Sequence, residues 1–139
     1  MQYWDPSTLL KRFVPEADSP LFVAHMSQAA IAISQIGQAQ MWGAIARGAL
    51  PKWSAEIAFG KFQTDVASGR IVVLPFGAEI ETKFRALVLQ FHRRKPPIRV
   101  RTLDAIHLAK AQVLPAEEVV TTDGHLRAGD TALGLKLFP

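Results

Sequence analysis

The sequence has no cysteine. This excludes a disulfide framework, a thiolate zinc site and a cysteine nucleophile, and it suits a reducing, cytoplasmic compartment. It also lacks a glycine-rich phosphate loop and a Gly-x-Ser-x-Gly elbow, which removes P-loop and serine-hydrolase chemistry from consideration. The opening residues MQYWDPSTLLKRF do not have the basic-then-apolar order of a secretory signal, so none is expected. One long stretch, Leu21 to Ala46, is free of Asp, Glu, Lys and Arg. His25, Ser27, Gln28, Ser34, Gln35, Gly37, Gln38 and Gln40 make it too polar for a membrane span. Neither an internal repeat nor a low-complexity linker interrupts the chain.

What remains is a chain of 139 residues with a net charge of +4, long enough for one domain with its own core. The positive charge is uneven. Arg93, Arg94, Lys95, Arg99 and Arg101 crowd into a single Pro-containing segment, the pattern of a surface for a polyanion such as RNA. A merely solvated loop accounts for the same residues.

Strand-like and helix-like segments alternate. Gln2 to Trp4 reads as a short strand. Asp5-Pro6 then starts a helix to about Phe13, with the acid as N-cap and the proline at the first helical position. Further helices are predicted over Pro20 to Gln28, Gly37 to Arg47 (ended by Gly48), Pro51 to Gly69, Glu79 to Phe91 and Thr102 to Leu114, with a short one after Gly124. Strands are predicted at Ile31 to Ser34, Ile71 to Leu74, Val119 to Thr122 and Leu135 to Phe138. The unbroken apolar run Ile71 to Leu74 reads as a strand buried on both faces. Such alternation implies an α/β fold with a mainly parallel central sheet covered on both sides.

Sites in such sheets lie at the carboxyl ends of the strands. Asp5 ends the first strand, Asp123 follows the strand Val119 to Thr122, and Asp104 falls in the first turn of the helix beginning near Thr102. Asp104 shares a helical face with His107, Leu108 and Ala111. Its carboxylate should therefore point inward and need compensation, for which a divalent cation is suited. Each acid has an ordinary structural reading as well: an N-cap, a first-turn acid, a turn residue before Gly124. Their joint placement is what argues for a site.

Three motifs carry a family resemblance. Tyr3-Trp4-Asp5-Pro6-Ser7-Thr8-Leu9-Leu10 resembles the N-terminal signature of VapC-type PIN domains, Leu103-Asp104-Ala105-Ile106-His107-Leu108-Ala109 their most recognisable motif, and Val120-Thr121-Thr122-Asp123-Gly124-His125-Leu126 their last acidic motif. The resemblance implies a three-layer α/β/α PIN-like fold. It implies a metal-dependent endoribonuclease toxin of a type II toxin–antitoxin system, which leaves 5′-phosphate and 3′-hydroxyl ends. It also implies an RNA substrate, a VapB-type antitoxin partner and a homodimer. Asp5, Asp104 and Asp123 match the family's metal-binding acids. Ser7, Thr121 and Thr122 are placed to support them. A carboxylate set without cysteine suits Mg²⁺, with Mn²⁺ as an alternative.

The sequence departs from the family at Gln40. The segment Ser34-Gln35-Ile36-Gly37-Gln38-Ala39-Gln40 puts glutamine where the family has glutamate. A glutamine carbonyl ligates a hard cation weakly and cannot act as a base. Three accounts stay open: a tolerated natural glutamine, a weakened or non-catalytic relative acting through antitoxin or RNA binding, or an introduced change that silences a toxic enzyme. As a plain structural residue, Gln40 would be hydrogen-bonded near the interior. His107 reads as a buried, hydrogen-bonded histidine, and His25, His92 and His125 lack ligand spacing. Trp42 and Trp53 read as core or interface residues.

Overall fold

A computed structural model describes residues 1–26, 29–47 and 52–139, without the side chains at 52 and 53. The expected boundaries at Gln28, Gly48 and Pro51, and the side chain of Trp53, lie outside the described residues. Five parallel strands form one sheet: β1 (Gln2–Trp4), β2 (Ile31–Ser34), β3 (Ile71–Leu74), β4 (Glu118–Val120) and β5 (Leu137–Phe138), in the spatial order β3-β2-β1-β4-β5. Between them run α1 (Pro6–Leu10), α2 (Ser19–Met26), α3 (Gln35–Ala46), α4 (Lys52–Ala67), α5 (Ala78–Arg93), α6 (Thr102–Val113) and α7 (Gly124–Leu133).

Strand alternation sorts the helices into two layers. Trp4, Ile31, Ile33 and Val120 face one way and pack with Leu9 of α1, Phe22 of α2, Met41 of α3 and Phe62 of α4. Tyr3, Ala32 and Val119 face the other way, against Ala111 of α6. Behind them Leu87 and Phe91 of α5 pack with Leu108 of α6 and Leu126 of α7. The result is the expected α/β/α sandwich. Among the described residues no helix is long and apolar enough to cross a membrane.

Two expectations need correction. β3 is not buried on both faces: Ile71 is buried, but Val72 is 36% exposed, because β3 lies at the edge of the sheet and not within it. The last two strands are also shorter than the apolar runs suggest, since Leu135 already bonds back to Asp130 at the end of α7 and only Leu137 and Phe138 pair with β4.

Two glycines set how closely the helices that carry the site approach each other. A Cβ on Gly37 would lie 2.9 Å from Pro6 Cγ, so glycine here lets α3 press against α1. A Cβ on Gly129 would lie 2.5 Å from Leu108, so glycine there lets α7 press against α6. These approaches bring Gln40 toward Asp5 and Asp123 toward Asp104.

Candidate active site

The carboxyl end of the sheet opens into a cleft of about 270 Å³ lined by Asp5, Ser7, Gln40, Arg47, Arg101, Asp104, His107 and Asp123, with Pro6 and Leu10 among its apolar walls. β1 and β4 are neighbours, so the residues that follow them, Asp5 and Asp123, arrive side by side. α6 delivers Asp104 from its first turn. The three acids expected from the sequence are thus brought together with Gln40.

Asp5 caps α1 by its backbone only; its carboxylate makes no cap bond. That carboxylate accepts a hydrogen bond from the Ser7 hydroxyl. The backbone beneath is fixed by Thr8, whose hydroxyl donates to the carbonyls of Asp5 and Val120, 2.9 Å each. Burial, together with the charges of Asp123 and Asp104, holds the Asp5 pKa above the ordinary carboxylate value despite the bond from Ser7.

Asp123 does cap its helix: Oδ1 accepts from the backbone N–H groups of His125 (2.8 Å) and Leu126 (3.1 Å). Burial alone pushes its pKa up, but the Leu126 and His125 amides and the Arg101 guanidinium outweigh it and hold it below the ordinary value. Thr121 is buried, and its hydroxyl accepts from the Asp123 N–H at 3.1 Å; Thr122 is exposed.

Asp104 is buried, as the helical pattern implies, and its compensation comes from the chain itself. Arg101 Nε donates to Oδ2 at 2.8 Å and Nη2 to Oδ1 at 3.1 Å, while the Arg101 N–H also reaches Oδ2. The same Nη2 reaches Asp123 Oδ2 at 2.6 Å. Arg101 therefore bridges two of the three acids. Of the other basic residues, Arg93 and Arg94 border a separate groove on α5 with Ala86, Leu89 and Gln90, and Arg94 donates to the Ala132 carbonyl at 2.9 Å. Lys95 and Arg99 are exposed.

Gln40 is half-buried, with its Oε1 3.0 Å from His107 Nε2. His107 is buried, and burial pushes its pKa down to about 4, so the ring is neutral near pH 7. The Tyr3 hydroxyl lies 2.6 Å from Nδ1, and burial raises the Tyr3 pKa, so the phenol stays protonated. The Gln40 carbonyl can only accept, so on the neutral ring Nε2–H donates to it and Nδ1 accepts from Tyr3. Sequence reasoning expected a buried, bonded His107 but not that it fixes position 40. Arg47 in the cleft was also missed; it lies outside the basic segment.

The donor chemistry fits a hard divalent cation: three carboxylates and one amide carbonyl line one cleft, with Asp5 feeling the charge of both other acids. As they stand, no group of three or more carboxylate or imidazole side chains among the described residues is arranged to hold one ion. The Arg101 fork occupies the oxygens that would have to turn.

The three-layer parallel sandwich is PIN-like, as the sequence motifs imply, and solved structures share the fold. FitAcB from Neisseria gonorrhoeae superposes with a TM-score of 0.75 at 17% identity, over 100% of this chain and 97% of that chain. VapC20 from Mycobacterium tuberculosis, a Sarcin-Ricin loop cleaving toxin, gives 0.70 at 14% identity over 97% and 96%. VapBC2 from Rickettsia felis, bound to a DNA fragment from their promoter, gives 0.66 at 17% over 99% and 98%. No protein-family model and no curated protein matches the sequence.

Proposed function

We propose that this chain is an RNA-cleaving toxin of the VapC type, a metal-dependent endoribonuclease that hydrolyses phosphodiester bonds in the acidic cleft. The observation that carries this reading is the convergence of Asp5, Asp104 and Asp123 on one cleft, in a fold shared with a toxin chain. Those acids would hold Mg²⁺ or Mn²⁺, with the Gln40 carbonyl as a weaker neutral donor. When bound, the cation supplies charge stabilisation to the phosphate and eases ionisation of an attacking water. The chain's own residues do the positioning. Ser7 holds Asp5, the amides of α7 hold Asp123, and neutral His107 holds Gln40. Exposed Arg93, Lys95 and Arg99 offer positive charge to the RNA backbone.

The partner in this reading is a small antitoxin. Toxin–antitoxin complexes stand among the structural relatives, and exposed Leu21 and Val23 on α2, Trp42 on α3 and Ile57 on α4 offer apolar surface for its helix. The reading includes a homodimer at work in the cytoplasm.

RNA cleavage with Mg²⁺ against EDTA, on the wild type and on Asp5→Asn and Asp123→Asn, tests the proposal. Chelation and each substitution should lower the rate about 100-fold or more. Cleavage that survives EDTA and both substitutions sinks the reading. One observation favours a second reading, a PIN module that binds antitoxin or RNA without cutting: position 40 is neutral and its Oε1 is bonded to His107. RNA or antitoxin binding with no cleavage in Mg²⁺ would decide for it.

A further inference from the structure

Arg101 is out of place for a residue of a solvated basic loop. Its side chain is 61% exposed, yet its guanidinium reaches down to Asp104, whose side chain is 8% exposed, and across to Asp123. Every carboxylate oxygen of these two acids accepts a hydrogen bond: both on Asp104 and one on Asp123 from the guanidinium, the other on Asp123 from α7 amides. A divalent cation of the Mg²⁺ class needs several such oxygens in one shell at about 2.0–2.1 Å. The guanidinium and the ion cannot hold the same lone pairs in that geometry. The two positive charges would also repel each other at close range.

We propose that Arg101 is the resident cation of the cleft, and that a divalent ion binds by displacing its side chain from Asp104 and Asp123. The proposal rests on the metal-nuclease reading and adds a competitor to it. Three features suit an exchange of this kind. The side chain enters from the solvent side, so it can leave without opening the core. Its backbone is anchored independently, with the Arg101 carbonyl accepting from Ala105 N–H at 3.0 Å, so α6 keeps its first turn when the side chain swings out. With the guanidinium in place the acids are compensated in the metal-free protein, so the cleft need not fall apart from carboxylate repulsion.

Mn²⁺ affinity, read as free Mn²⁺ by electron paramagnetic resonance, is compared for the wild type, Arg101→Gln and Arg101→Lys. Arg101→Gln should bind about tenfold or more tightly, because a competing unit charge is gone. Arg101→Lys, which keeps the charge but not the two-pronged fork, should lie between the two. A measurement on the unaltered protein stands beside these in case the variants fold poorly. The Arg101 Nε–H resonance, protected by Asp104, should broaden or shift as Mg²⁺ is added. Equal or weaker Mn²⁺ binding by a folded Arg101→Gln, or an Nε–H signal unmoved at Mg²⁺ saturation, overturns the exchange and leaves the nuclease reading standing. Absence of Mn²⁺ binding in all three proteins overturns both.

Discussion

Asp130 is an acid buried without compensation on its carboxyl group. It is fully buried on α7, and neither carboxylate oxygen has a hydrogen-bond partner among the described residues. Burial pushes its pKa up to about 7, with repulsion from Asp5 adding to the effect and Arg127 opposing it. Between the ordinary value of 3.8 and about 7, the folded protein keeps a proton that the unfolded chain has lost. The stability this gives is complete below pH 3.8 and is lost as pH rises through 7. Asp130→Asn should therefore stabilise the protein by about 1–3 kcal/mol at pH 8 and by little at pH 4. Urea unfolding at pH 4, 6 and 8 measures it; a difference that does not change with pH argues against a buried ionisation. Gln40 poses the complementary case of a missing charge. Gln40→Glu should raise Mg²⁺ affinity by about tenfold and speed RNA cleavage, since another anion joins the wall. Calorimetric titration of both forms checks this, and equal affinity would mean that position 40 does not face the ion. The aspartates were legible in the sequence because each closes a strand or opens a helix within a motif. Asp130 was not, because nothing local distinguishes it from a solvent-facing acid on an amphipathic helix.

At the scale of elements, α6 does more than its motif announced. Asp104, His107 and Lys110 recur along one helix, and all three are buried. Asp104 meets Arg101, His107 links Tyr3 of β1 to Gln40 of α3, and Lys110 donates to the Leu74 carbonyl at the end of β3 at 2.7 Å. The helix thus ties β1, α3 and β3 together by polar contacts, and its Asp104 and His107 line the cleft with Gln40. Apolar periodicity is blind to such contacts; they depend on which strand lies underneath. The same blindness explains Arg101. In sequence it belongs to a basic cluster, but in space it belongs to the acids, because α7 brings Asp123 within its reach. The remaining cluster should still matter for RNA. Replacing Arg93 and Arg94 together by Ala should reduce the slope of log affinity against log salt by about 1, as expected for losing one or two contacts to single-stranded phosphate. Fluorescence anisotropy from low to moderate salt reads this slope, and an unchanged value removes the loop from the RNA interface.

For the whole molecule, the layer architecture followed from the alternation of strands and helices, and the structure agrees. The order of the strands did not follow, since short parallel strands carry no sequence mark of their neighbours. This is why the apolar run Ile71 to Leu74 reads as a strand buried on both faces although β3 is an edge. A ligand that binds only the folded state raises the melting temperature by mass action. If the cleft holds a divalent ion, Mn²⁺ at a hundredfold excess over its dissociation constant should add about 2.7 kcal/mol, or roughly 5–10 °C, and EDTA should reverse it. Differential scanning calorimetry in matched buffers gives the answer; coincident melts exclude a site confined to the native state.

The place of β1 at the middle of the sheet has a consequence in time. Its pairing with β2 can form early, but its pairing with β4 must wait until Glu118 to Val120 have been made. A chain that stops between Asp104 and Glu118 holds two of the acids but lacks both Asp123 and the strand that sets it beside Asp5. For a protein proposed to cut RNA, the blade is therefore assembled only once β4 and Asp123 have been translated, and a synthesis interrupted before them leaves the cleft incomplete.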